Sequence, residues 1–441
     1  MPTESFTTGS KLLSSILRKY PTRSSRPVLR SGEGLYLDVE GIGRVLDLTS
    51  GFTGAAVLGY GHPDVKAALK TQIDRICHVS YGMWSDPQLE ELAELLGQHA
   101  PSGLNKVYYA GLSGSEAVEA AMKLSFQVHH DSGKEEKSWI ICRRGGYHGV
   151  TAHAMAVSDN HLFEIYRPLL PERIFKIPRH DVVHDCVTGE TVAEYTERSV
   201  QDLEEAIIRI GPERVAAFVG ETMPGTGGGF IPPAPGYWRR IREVCDRHDV
   251  HLILDEVFCG LGRAGTLHCC DADDVSPDFL CIGKTLGGAY APLSAVLCYS
   301  GVEDVIASGK TRRIHHGHTF QGHALGAAAA LAVQKIVHDP ATLEHAQEMA
   351  GYLHGRLHEI AARTEYLTNL TGRGLLAAMD FGTCAPEDFG DRLQEILERD
   401  HRIQAHCTAG RLMILPAYIV TRAQIDELAT ALPHALEAAA Q

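Results

Sequence analysis

Apolar positions along this chain repeat with two different periods. Gly34-Leu35-Tyr36-Leu37-Asp38-Val39-Glu40-Gly41 is strand-like and then turns, and the pattern resumes at Arg44-Val45-Leu46-Asp47-Leu48, as a hairpin does. From about residue 61 the two periods take turns. Helical spacing predicts helices over 64–76, 86–96, 115–128, 201–210 and 236–248. Apolar runs between them predict strands over 106–109, 139–142, 215–219 and 251–254. This alternation argues for a mostly parallel sheet covered by helices on both faces. Residues 177–199 have little periodicity and read as loop. An Ala-rich helix follows over 324–338. Strands over 374–381 and 412–415, with helices over 386–398 and 421–438, then suggest a smaller α+β domain. Repeats and low-complexity linkers are not visible.

Composition narrows the class. The 441 residues are 44% hydrophobic and 22% charged, which allows a large core. A net charge of −14 argues against a general nucleic-acid binder, because the phosphate backbone selects for excess Lys and Arg. No apolar stretch approaches the roughly 18–20 residues of a membrane span. The eleven cysteines are scattered, several in apolar runs (Cys142, Cys281, Cys298), which reads as free thiols in a reducing compartment such as the cytoplasm. Near the N-terminus Lys11, Arg18, Lys19, Arg23, Arg26 and Arg30 face one acid, Glu4. That segment reads as an amphipathic helix carrying Leu12, Leu13, Ile16 and Leu17, or as a mitochondrial transit peptide.

The candidate chemistry starts at Lys284. The apolar run Phe279 to Ile282 leads directly into Gly283-Lys284, and paired glycines follow at Gly287-Gly288. A lysine held at a strand end away from water favours its neutral amine, a nucleophile able to make a Schiff base with an aldehyde. Asp255 ends another apolar run, His251-Leu252-Ile253-Leu254. A buried amine and a buried carboxylate are what pyridoxal phosphate needs for its aldehyde and its pyridinium nitrogen. Ser113-Gly114-Ser115-Glu116 opens a helix whose N–H groups can take an anion, and it also spells an ordinary capping box. Tyr147 and His148 sit among Gly145, Gly146 and Gly149, where an aromatic ring can stack on a flat cofactor or pack in a tight turn. Glu221 ends a strand before the loop Gly225-Thr226-Gly227-Gly228-Gly229, as a site carboxylate or a structural ion-pair partner. Thr319, in His318-Thr319-Phe320, is a phosphate donor or a helix cap. His268-Cys269-Cys270 does not have metal spacing, so no metal is expected. Gly283-Lys284-Thr285 is not a P-loop, because Asp278 stands where that motif requires glycine.

These runs occur in one order, together with Leu46 to Gly51, Gly61-His62-Pro63, Gly260-Leu261-Gly262-Arg263 and Tyr290-Ala291-Pro292-Leu293. In that order the chain resembles the class III, omega-type, pyridoxal-phosphate aminotransferases of fold-type I over nearly its whole length. The resemblance implies an α/β fold: a large domain with a mostly parallel mixed sheet between helices, and a small α+β domain built from both chain ends. The expected boundaries are 1–60, 61–330 and 331–441. Lys284 would make the Schiff base and move the proton, and Asp255 would hold the ring nitrogen. Tyr147 and Val257 would take the two ring faces, with His148 and Glu221 beside the cofactor. Ser113, Gly114 and Ser115 would bind the phosphate. The family pattern is a homodimer in which Thr319 reaches the neighbouring subunit's cofactor. Phe52, Tyr81 and Trp84 lie in segments that line the substrate pocket in relatives. In relatives that use 2-oxoglutarate, an arginine that binds a carboxylate stands where Met413 falls here; Arg411, two residues away, is the candidate substitute. The implied activity moves an amino group from an amine or omega-amino acid to pyruvate or 2-oxoglutarate by a ping-pong route. A decarboxylating transaminase of the dialkylglycine type, a racemase or an aminomutase would share these motifs.

Overall fold

The computed structural model describes residues 16–17 and 27–441. Leu12 and Leu13 of the expected N-terminal helix lie outside the described residues, and Ile16 and Leu17 carry no regular structure.

The chain enters through a small antiparallel meander, β1 (Leu29–Glu33), β2 (Tyr36–Val39) and β3 (Gly43–Asp47). Helices α1 (Pro63–Arg75) and α2 (Pro87–Gln98) follow, each with proline in its first turn, where a missing N–H costs no hydrogen bond. The main sheet has seven strands: β4 (Leu104–Gly111), β5 (Trp139–Arg143), β6 (Ile174–Ile177), β7 (Val215–Glu221), β8 (His251–Asp255), β9 (Phe279–Ile282) and β10 (Ser294–Tyr299). Their spatial order is β4-β10-β9-β8-β7-β5-β6, and β10 alone is antiparallel to its neighbours. Helices cover both faces. One face packs on α2, α5 (Val192–Ile210), α6 (Tyr237–Arg247) and α8 (Ala324–Val337). The other packs on α3 (Gly114–Asp131), α4 (Ala152–Val157) and α7 (Val302–Ser308). Every residue of β7 and β9 is buried. Burying a large aliphatic side chain stabilises by about 1.5–3 kcal/mol, and such strands offset the polar groups they carry at their ends.

The C-terminal part adds α9 (Pro340–Ala361), α10 (Phe389–Arg399) and α11 (Arg422–Ala440) around β11 (Leu367–Thr371), β12 (Ala377–Phe381), β14 (His406–Thr408) and β15 (Arg411–Ile414). A two-residue strand, β13 (Ile403–Gln404), pairs parallel with β3, pairing Ile403 with Leu46 and Gln404 with Asp47. The two chain ends therefore share a sheet and one core.

One expectation is corrected. Residues 177–199 are not all loop: α5 begins at Val192, capped reciprocally by Thr191 and Glu194. Its buried face includes Tyr195, Thr196 and Ser199, so polar side chains blur the periodicity there.

Candidate active site

In a parallel sheet the strand C-termini share one edge, and ligands collect there. Here β4, β5, β7, β8 and β9 deliver their following residues to that edge. Register sets Glu221 of β7 beside Asp255 of β8, and Asp255 beside Cys281 of β9, two residues before Gly283. Lys284 then turns with φ of 39°, a left-handed conformation that a side chain adopts only when its surroundings hold it. Its Nζ lies 5.0 Å from the centre of the Phe258 ring. Burial lowers the Lys284 pKa from its ordinary 10.5, against the opposing pull of Asp255 and Glu221.

Asp255 is fixed on both oxygens: His148 Nδ1 lies 2.8 Å from Oδ2, and the Val257 N–H donates to Oδ1 at 3.0 Å. His148 is itself buried, and its backbone N–H donates to Ser158 Oγ. Glu221 accepts from the N–H groups of Tyr147 (3.0 Å) and Gly225 (2.8 Å), while burial pushes its pKa upward.

The start of α3 closes the far side. The capping box forms: the Glu116 carboxylate takes the N–H groups of Leu112 and Ser113 and the Ser113 hydroxyl. The N–H groups of Gly114 and Ser115 are the first of the helix and have no intrahelical acceptor. A Cβ on Gly114 would sit 2.5 Å from Val257, and one on Gly149 would sit 2.3 Å from Ser115 Oγ. Only glycine permits this close cradle, with its N–H groups and positive dipole end turned to an anion.

These residues line one cavity of about 590 Å³. Phe52 forms part of its wall, in a turn with φ of 51° at Ser50 and 62° at Phe52. Asp47 stabilises that turn, accepting from the N–H groups of Thr49 and Gly51 and from the hydroxyls of Thr49 and Tyr60. Two aromatic wall residues, Phe258 and His406, were not anticipated. Phe258 directly follows the Asp255-Glu256-Val257 run, which is a usable signal. His406, stacked on Phe52 with ring centres 4.4 Å apart, has no local signal, because β14 places it.

Lys284, Asp255, Glu221, His148, Tyr147, Val257, Ser113, Gly114, Ser115 and Phe52 all meet at this cavity. Four expected residues do not line it. Arg411 is turned away, its Nε donating to Asp380 Oδ1 at 2.7 Å. Tyr81 packs on Tyr109 and over Gly322, and Trp84 is 68% exposed. Thr319 is exposed, with His78 Nε2 2.8 Å from its carbonyl oxygen. Among the described residues, no cluster of His, Cys, Asp and Glu has the arrangement of a metal site. The N–H groups of Cys269 and Cys270 instead bind the buried Glu256 carboxylate at 2.7 Å.

A desolvated amine, a carboxylate fixed by an imidazole and a helix-start anion cradle fit pyridoxal phosphate. The family model described as aminotransferase class-III matches residues 20–436. The chain belongs to the class III aminotransferases. Members of this family use pyridoxal phosphate. Among curated proteins, this class III aminotransferase is 35% identical to an uncharacterised aminotransferase of Schizosaccharomyces pombe, over 92% of this chain and 91% of that one. It is 33% identical to the diaminobutyrate–2-oxoglutarate transaminase of Halomonas elongata, over 91% and 88%. Among solved structures, an amine transaminase from an uncultivated Pseudomonas species, in its PLP-bound form, superposes with a TM-score of 0.89 at 28% identity, over 99% of this chain and all of that one. The omega transaminase of Pseudomonas jessenii in complex with PMP superposes at 0.88 with 26% identity, over 94% and 93%.

Proposed function

We propose that this aminotransferase takes an amino group from a plain amine or omega-amino acid and passes it to pyruvate or 2-oxoglutarate, in two half-reactions at the cavity around Lys284. The carrying observation is the placement of Lys284, Asp255 and the Gly114–Ser115 helix start around one cavity. Pyridoxal phosphate, when bound, supplies an aldehyde that condenses with amines and a ring that takes up electrons.

The protein's own groups do the rest. Lys284 Nζ, its pKa lowered by burial, would serve as nucleophile and then carry the proton away from the carbon bearing the donor's amine. Asp255 would hold positive charge on the ring nitrogen, and His148 keeps that carboxylate in place. The N–H groups of Gly114 and Ser115, with the Ser115 hydroxyl, would hold the phosphate, while the Ser113 hydroxyl is committed to Glu116. Tyr147 and Val257, which both line the cavity, would take the two ring faces. Glu221, tied to Tyr147 and Gly225, fixes the loops on either side.

Donor class follows from what the cavity holds. Among the described residues Lys284 is its only Lys or Arg, and Met413 is buried against Met223 and Phe230. A donor carboxylate next to the reacting amine would therefore meet no second cation, which favours amines distal to any carboxylate.

A division into 1–60, 61–330 and 331–441 is supported by a main sheet that lies within 104–299 and a C-terminal sheet within 367–414. A homodimer would give Thr319, Tyr81 and Trp84 a cavity to face. A cytoplasmic site suits the cysteines, all unpaired. No helix among the described residues is long and apolar enough to cross a membrane.

The test follows the cofactor's absorbance near the visible edge while amines are titrated into the reconstituted enzyme. Productive donors bleach the band, and a 2-oxo acid restores it. Near wild-type turnover by Lys284→Ala would overturn the reading. Carbon dioxide released from 2-aminoisobutyrate, or isomerisation without an acceptor, would move it to the decarboxylase or racemase chemistry.

A further inference from the structure

His184 lies in the loop between β6 and α5, away from the cavity, with both ring nitrogens on carboxylates. Its Nδ1 is 3.0 Å from each oxygen of Asp181, and its Nε2 is 2.9 Å from Asp380 Oδ2. A neutral imidazole has one N–H, so one of these contacts would set lone pair against lone pair; the imidazolium donates to both. Asp181 is held in turn, since its Oδ1 accepts the N–H groups of Val183 and His184.

The line of charges continues toward the cavity. Asp380 of β12 uses its other oxygen to accept from Arg411 Nε of β15. The Arg411 guanidinium lies against Gly229, so closely that a Cβ there would be 2.1 Å from Nη1. Thr371 of β11 grips the same residue, donating from Oγ1 to the Gly229 carbonyl at 2.7 Å. Gly229 ends the loop that starts at Gly225, whose N–H is bonded to Glu221, and Thr226 and Gly227 of that loop line the cavity. Asp181, His184, Asp380 and Arg411 thus alternate in sign from a loop beside the main sheet to the wall of the site.

We infer that His184 is a positioning residue, which as an imidazolium holds Asp380 and Arg411 against Gly229 and so sets the Thr226–Gly227 wall for the donor. The inference rests on the aminotransferase reading for its kinetic consequence, not for the geometry. The groups facing His184 are Asp181, Asp185 and Arg179 of its own loop, Asp380 of β12, and Arg411 of β15 behind Asp380. Burial pulls the His184 pKa down, the bonds to Asp380 and Asp181 pull it up, and the net shift is upward from 6.5. The clamp is therefore complete below 6.5 and is lost as pH rises through the raised value.

The test measures kcat and KM for one amine donor from mildly acid to mildly alkaline pH, in wild type and His184→Gln. In wild type, KM rises on the alkaline side while kcat holds. In His184→Gln, KM at neutral pH is raised about fivefold, the size of one ordinary hydrogen bond, with kcat nearly unchanged and the alkaline rise gone. His184→Lys, which restores a cation, recovers part of the loss. A His184→Gln enzyme with wild-type KM and pH profile overturns the inference. Nitrogen NMR of the His184 ring in the wild-type protein is the second readout and needs no variant to fold. Two protonated ring nitrogens at neutral pH support the clamp, and a neutral ring overturns it. Failure of every amine to bleach the cofactor band would instead count against the aminotransferase reading, leaving the NMR result to stand or fall alone.

Discussion

At the scale of single residues, Lys284 is held at a cost to folding. Its amine is removed from water and its pKa is lowered, chiefly by burial. The unfolded chain thus keeps a proton that the folded chain releases more readily, so stability rises with pH through the window from the lowered value toward 10.5. Replacing the amine with an apolar chain of similar length removes that penalty. Lys284→Met is expected to raise the melting temperature of the cofactor-free protein and to flatten the alkaline part of its stability curve. Thermal unfolding at several pH values checks this, and an unchanged or lower melting temperature at neutral pH would contradict it. Asp255 is the complementary case. Asp255→Asn retains the shape and loses the charge that His148 and the Val257 N–H hold in place. Cofactor should still bind, while turnover falls by roughly 100-fold, the scale set by losing a preorganised charge. Single-turnover kinetics with a good donor separates that loss from weak binding.

At the scale of elements, the site depends on where strands stop and where α3 starts. Gly114→Ala places a methyl group 2.5 Å from Val257 and pushes α3 off the cavity edge. Affinity for pyridoxal phosphate should fall at least about tenfold, with the fold intact by circular dichroism; a fluorescence titration of cofactor into the apo-protein reads it directly. This is also the scale at which the sequence was most legible. Runs such as 252–254 and 279–282 are wholly apolar because both faces of the sheet are covered, and they lead to the residues the chemistry requires, Asp255 directly and Lys284 after Gly283. Legibility failed where burial is polar or pairing is remote. The start of α5 hid behind buried Tyr195, Thr196 and Ser199, although Thr191 and Glu194 spelled its capping box. Helix α9 went unread through its two glycines, Gly351 and Gly355, and its mixed polar face. Arg411 has a partner that no local pattern shows, because Asp380 and His184 come from a different strand and a distant loop.

At the scale of the whole molecule, the residues that miss their expected place form a pattern. Met83, Trp84, Ile314 and Phe320 are exposed, at 77%, 68%, 41% and 50%. Their two segments touch, since His78 lies 2.8 Å from the Thr319 carbonyl oxygen and packs edge-on against the Phe320 ring. Large exposed apolar side chains on two touching segments of a folded chain suit an interaction surface. Thr319, which the family resemblance assigns to a neighbouring subunit's phosphate, lies within it. A symmetric pairing across this surface would bury the aromatic residues and bring each Thr319 toward the other cavity. The wild-type enzyme is therefore expected to sediment as a dimer. Trp84→Glu combined with Phe320→Glu would place charges in the interface and shift the protein toward monomer. If the second subunit completes the phosphate site, the same double variant releases pyridoxal phosphate on dilution, whereas the wild type retains it. Thr319→Ala separates the two effects, because it should weaken cofactor retention without dissociating the dimer. Sedimentation velocity at several concentrations, with absorbance recorded at both the protein and cofactor bands, reads mass and occupancy in one experiment. A wild-type monomer that keeps its cofactor on dilution would rule out the shared site.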